Sequence, residues 1–100
     1  MSRLNIEVPY DRIEEFCSKH HIAKLAFFGS VVRDDFSSGS DVDVLVEFAP
    51  GHVPGLAFFS MENELGEILG RKVDLQTPQF LSRYFRDQAL GEAEVHYVAP

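Results

Sequence analysis

Phe28-Gly29-Ser30-Val31-Val32-Arg33-Asp34-Asp35-Phe36-Ser37-Ser38-Gly39-Ser40-Asp41-Val42-Asp43-Val44-Leu45-Val46 is the stretch on which the reading of this chain turns. From Asp41 to Val44 it alternates strictly, with the period of a pleated strand, so Asp41 and Asp43 share one face and Val42 and Val44 the other. Two residues of strand rise roughly 6.6 Å, which sets the two carboxylates side by side. If both were ionised about 5 Å apart at an effective dielectric near 20, their repulsion would be about 3 kcal/mol. Set among Val42, Val44 and Leu45, such a pair calls for a raised pKa on one Asp or for a bound cation. Oxygen-only ligands suit Mg²⁺, a hard cation that keeps several waters and shares its other positions with substrate phosphates.

The first half of the stretch adds an anion seat. A strand ending in Gly29, with Ser30 at the head of a helical turn, leaves backbone N–H groups pointing outward without intrahelical partners. Gly29 lacks a Cβ and tolerates a left-handed or close-approach backbone, and Ser30 adds a hydroxyl donor. An isolated Gly-Ser pair is usually only a turn with an N-cap. Here it comes shortly before an Asp-x-Asp strand. A third acid, Asp74, sits between Val73 and Leu75 in another strand-like segment. If the two strands are neighbours with that face shared, three carboxylates converge, and the third can take a proton from an attacking hydroxyl.

Outward from this centre, Ile22 to Phe28 reads as a central strand, because adjacent Phe27 and Phe28 point to opposite faces and both must be covered. Between Pro9 and His20, Ile13, Phe16 and Cys17 mark one face of an amphipathic helix. Ser37 to Ser40 is a loop, and Ala49 to Gly55 a connector rich in Pro and Gly. Phe58, Met61, Leu65, Ile68 and Leu69 define a helix that Gly70 ends from C′. Arg71 to Gln76 reads as a third strand. Thr77-Pro78 caps a further helix carrying Phe80, Leu81, Tyr84 and Phe85, and Glu94 to Val98 adds a short edge strand. Strands alternating with helices predict an α/β (α+β) fold: a small mixed sheet of three to four strands with helices packed on it, in a single domain over residues 1–100.

Composition narrows the partners. Nine Lys plus Arg against 16 Asp plus Glu give a net charge of −7 on 100 residues, which argues against tight non-specific binding to nucleic acid or to an anionic membrane. One cysteine, Cys17, cannot form an intramolecular disulfide, and no stretch approaches the roughly 20 apolar residues of a membrane span. A cytoplasmic location is expected. His20 and His21 read as a surface pair at a helix end. For His52, in the loop after the acidic strand, a place bordering the site is the minor reading, and a residue that does not touch substrate the favoured one. Phe48, Leu56, Phe58 and Phe59 gather around the connector, where packing explains most of them and a partner-binding patch is the second reading.

Gly29-Ser30-x-x-Arg33 followed by Ser40-Asp41-x-Asp43 and Val44-Leu45-Val46 resembles the signature of the polymerase-beta-type nucleotidyltransferase superfamily. In particular it is similar to the minimal nucleotidyltransferases, stand-alone proteins of about this length that are often paired with a HEPN-domain partner as its antitoxin. The resemblance implies a polymerase-beta-like fold in which Gly29, Ser30, Arg33 and Ser40 serve the nucleotide. It implies that Asp41 and Asp43 ligate one or two Mg²⁺ ions, with Asp74 as third ligand or general base. The implied reaction moves AMP from ATP onto a hydroxyl, a tyrosine, of a HEPN-type toxin and silences it. The alternative is a non-catalytic nucleotide-binding subunit that inhibits its partner by occlusion. Direct contact with nucleic acid or membrane is not expected, and a homo-oligomer is left open. Many members carry Gly after this Arg; here Asp34-Asp35 follows and adds negative charge near the phosphates.

Overall fold

In a computed structural model of the chain, residues 4–33, 36–37, 39–52, 54–78 and 83–100 are described, with side chains omitted at 83–86. Four strands form one sheet in the order β3-β2-β1-β4. They are β1 (Ile22–Phe28), β2 (Val42–Phe48), β3 (Val73–Gln76) and β4 (Glu94–Val98). Among the described residues three helices accompany them: α1 (Tyr10–Lys19), α2 (Ala57–Leu69) and α3 (Arg83–Glu92). A short 3₁₀ turn, Gly29–Val32, follows β1. The central strand β1 is antiparallel to both β2 and β4, whereas β2 and β3 run parallel. A parallel pair needs a crossover, and α2 supplies it between β2 and β3.

The alternation read in the sequence sorts side chains between two layers. Leu25 and Phe27 of β1, Val42, Val44 and Val46 of β2, and Val73 and Leu75 of β3 meet Ile13, Phe16 and Cys17 of α1 and Met61 and Leu65 of α2. The other cluster holds Phe28 and Leu45 against Ala89 of α3. Phe27 and Phe28 are therefore both buried, on opposite sides of the same strand. Each large apolar side chain so enclosed contributes about 1.5–3 kcal/mol from burial.

Local details agree with the residue types. Pro9 stands at the N-cap of α1, and Gly70 closes α2 in a left-handed conformation (φ +68°) with its N–H donating to the Gly66 carbonyl. Two expectations shift. Asp41 and Arg71-Lys72 lie just outside β2 and β3, because pairing begins only at Val42 and Val73. Pro78 lies in a turn, with helical backbone described from Arg83 onward; Phe80 and Leu81, expected on the same helix, fall outside the described residues. Among the described residues, no helix is long and apolar enough to cross a membrane.

Candidate active site

Because side chains alternate, the layer opposite α1 and α2 receives the residues between the buried valines. In the parallel pairing of β2 with β3, Asp43 lies opposite Asp74, just as Val42 lies opposite Val73. Neighbouring strands are about 4.8 Å apart, so the two carboxylates leave the same face as cross-strand partners. Asp41 stands two residues earlier on that side, immediately before β2, half exposed, with Lys72 Nζ 3.9 Å from its Oδ2. Asp74 is exposed, and its Oδ1 accepts from Gln76 Nε2 at 2.9 Å.

The other neighbour of β2 brings the glycine turn. Phe28 pairs with Asp43, so the next residue, Gly29, meets the Asp43 side chain head on. Gly29 has φ +74°, and a Cβ built there would stand 3.0 Å from Asp43 Cγ and closer still to Oδ2. The missing side chain is the space the carboxylate occupies. Burial, followed by the charges of Asp74 and Asp41, pushes the Asp43 carboxyl up to about 6; Arg33 pulls it down and Glu92 adds to the rise.

A carboxylate crowded by two like charges fits a divalent cation. Among the described residues, no three His, Cys, Asp or Glu side chains form a cage able to hold a metal unaided. Mg²⁺ in general takes one or two carboxylates from a protein and completes its shell with water and phosphate oxygens. Asp43, Asp41 and Asp74 are the residues on this face that could hold it.

Ser30 follows Gly29 in the 3₁₀ turn, whose last carbonyl bond runs from Arg33 N–H to the Ser30 oxygen. Arg33 Nη1 reaches Glu92 Oε2 at 3.1 Å and Oε1 at 3.2 Å, and Glu92 Oε1 also accepts from the Gly29 N–H at 3.0 Å. Ser40 turns its hydroxyl to Ser37, accepting from the Ser37 N–H at 3.1 Å, which ties the loop just before Asp41. Asp34 and Asp35 lie outside the described residues.

Two acids carry no signal in the sequence. Glu92 lies far from the motif along the chain and arrives only because α3 packs across Phe28 and Leu45. Glu62 of α2 accepts from the Leu75 N–H at 2.8 Å, satisfying the outer edge of β3 one residue after Asp74. Neither type nor spacing announces these contacts.

His52 belongs elsewhere. The connector after β2 leaves from its far end, where Phe48 pairs with Ile22, about 16 Å along the strand from Asp43. There His52 stacks on His21 with ring centroids 3.9 Å apart, beside an apolar groove of about 520 Å³ formed by Val46, Phe48, Pro50, Pro54, Phe58 and others. His20, rather than lying idle on the surface, meets Glu64 Oε1 at 3.0 Å. Leu56 and Phe59 are largely exposed at this same end. Cys17 is fully enclosed, and burial pushes its thiol up to about 12, in keeping with an inert core residue.

Comparison with known proteins identifies the family and the fold. A family profile described as nucleotidyltransferase domain matches residues 11–96. A relative from Methanocaldococcus jannaschii, provisionally named a protein adenylyltransferase, is 33% identical over 90 residues, which span 90% of this chain and 96% of that protein. A solved structure described provisionally as a minimal nucleotidyltransferase superposes with a TM-score of 0.70 at 30% identity, covering 85% of this chain and 86% of that one. The fold also matches a Shewanella oneidensis complex described as a tri-AMPylated HEPN toxin with its MNT antitoxin. There the TM-score is 0.64 at 18% identity, over 90% of this chain and 70% of that one.

Proposed function

The chain belongs to the nucleotidyltransferase domain family and is a nucleotidyltransferase, and on that premise we propose that it transfers AMP from Mg²⁺-bound ATP to a tyrosine hydroxyl of a HEPN-domain partner. Modification would silence the partner, making this chain the antitoxin of a toxin–antitoxin pair. The single observation that carries the reading is the register that sets Asp43 between Asp74 on one neighbouring strand and Gly29 at the end of the other. The names of the M. jannaschii relative and the S. oneidensis complex support the choice of AMP and of a HEPN partner.

Each residue has a role in that reaction. Asp41 and Asp43 would hold the ion, which would neutralise the triphosphate charge and make the α-phosphorus more electrophilic. Gly29 and Ser30 offer backbone and hydroxyl donors to the phosphates, and Arg33 offers a guanidinium. Ser40 keeps the loop before Asp41 in place through Ser37. Asp74, exposed and facing away from the core, accepts the proton of the acceptor hydroxyl. The acceptor oxygen forms a bond to the α-phosphorus, the bond from that phosphorus to the pyrophosphate oxygen breaks, and pyrophosphate leaves.

A second reading, inhibition by occlusion alone, draws on Leu56 and Phe59, exposed beside the groove at the opposite end of the sheet. One experiment separates the two. Asp41 and Asp43 are both replaced by Asn, the protein is mixed with its HEPN partner and labelled ATP, and label transfer and inhibition are followed together. Loss of both supports adenylylation as the means of inhibition. Inhibition that persists without transfer would show that occlusion is what silences the partner.

A further inference from the structure

Gly29 N–H and the Arg33 guanidinium are the donors through which the proposed reaction would hold polyphosphate, and both are turned toward one carboxylate of the chain itself. Glu92 accepts from Gly29 N–H at 3.0 Å and from Arg33 Nη1 at 3.1 and 3.2 Å. Resting on that functional reading, we infer that Glu92 is a specificity-determining residue: its carboxylate holds the phosphate seat and yields it only to a polyphosphate.

Three observations carry this. First, one backbone amide has one hydrogen, so Gly29 cannot serve Glu92 and a phosphate fully at once. Second, Glu92 is the last residue of α3, and Glu94 of the next strand is already paired with Phe27, so the backbone at this corner is pinned on both sides. Only the side chain, about one fifth exposed, has to swing for the exchange. Third, a tethered carboxylate competes at an effective concentration of about a millimolar or more. A lone phosphate or a nucleoside monophosphate, with one anionic group to offer, loses that competition at lower concentrations. A triphosphate brought in by a divalent ion makes several contacts together and wins it. Glu92 also adds negative charge facing Asp43, so its withdrawal relieves the acid cluster when the substrate arrives.

Inorganic tripolyphosphate is the probe, titrated by calorimetry into the full chain without metal. Glu92→Gln keeps the side-chain length and the oxygen that accepts from Gly29 while removing the charge. The variant is expected to bind tripolyphosphate at least about tenfold more tightly than the unsubstituted protein, with a larger gain for inorganic phosphate. Equal or weaker binding by the variant overturns the inference. A second measurement needs no substitution: on adding Mg²⁺ and a non-hydrolysable ATP analogue to the unsubstituted protein, the Gly29 amide and Glu92 carboxyl NMR signals should shift together. A bound analogue with an unmoved Glu92 signal also overturns it. Failure of the nucleotidyltransfer reading is distinguishable, because it appears as no label transfer from Mg²⁺·ATP in either protein, whatever the tripolyphosphate titration shows.

Discussion

Gly29 and Asp43 share one volume: the position a Gly29 Cβ would take is filled by the Asp43 carboxylate, whose Cγ would lie only 3.0 Å away. The antiparallel pairing of β1 with β2 forces this meeting, since Phe28 is the cross-strand partner of Asp43. The glycine of the motif is thus required by the acid as well as by its own positive φ.

Gly29→Ala tests that relationship. It is expected to cost about 1–3 kcal/mol for the left-handed backbone and to lower AMP transfer by more than about 100-fold, because Asp43 has to leave its place. Gly70→Ala is the control. Gly70 also has positive φ, but a Cβ there meets nothing within 4 Å, so denaturant melts should show lost stability while transfer stays unchanged.

The pH dependence follows from Asp43. With its carboxyl raised from an ordinary 3.8 to about 6, the folded chain holds that proton more tightly than the unfolded chain. Stability of the metal-free protein from this group is therefore greatest below about 4 and falls as pH rises to about 6. Metal affinity runs the other way, since a protonated carboxyl is a poor ligand, so Mg²⁺ binding and transfer should rise through about pH 6 and then level off. Asp43→Asn should flatten the melting curves over that window, which thermal scans across pH would read directly.

Asp74 and Asp43, though paired across strands, should fail differently. Asp74→Asn is expected to slow transfer by about 10²–10⁴-fold, the usual range for a lost general base, while leaving Mg²⁺·ATP binding within about tenfold. Asp43→Asn should abolish both. Calorimetry with a non-hydrolysable analogue, run beside single-turnover label transfer, separates the two; equal losses of binding would make Asp74 a ligand rather than a base.

Glu62 holds the free edge of β3 through the Leu75 N–H and so steadies Asp74 one residue earlier. Glu62→Ala should cost about 1–2 kcal/mol and reduce transfer several-fold, whereas Glu62→Gln, which still offers an oxygen to that N–H, should recover most of both. Urea titrations and transfer rates measured on the same preparations check the pair.

How much of this was legible beforehand varies by residue. Strand β1 and helix α2 follow from apolar periodicity, and their observed limits, Ile22–Phe28 and Ala57–Leu69, match that reading closely. The alternation Asp41-Val42-Asp43-Val44 already separated an acidic face from an apolar one, because the period of a strand is two whatever it pairs with. The same reading starts the strand at Asp41, one residue too early: Asp41 falls outside β2 because a strand begins where a partner begins, and Val42 is the first residue opposite β3. For His52, the minor reading of a place beside the acids rests on its closeness to their strand in sequence, yet seven residues of extended chain carry it to the opposite end.

Local spacing alone determined the carboxylate pair, the glycine-serine bend beside it and the strand-helix alternation that implies a mixed sheet, since these depend on dihedral preferences and side-chain period within a few residues. The order β3-β2-β1-β4, the pairing of Asp43 with Asp74 and the arrival of Glu92 at Gly29 and Arg33 were decided only by tertiary structure. They arise from which apolar faces cover one another, and the closing of long stretches of chain leaves no periodic trace in the residues brought together.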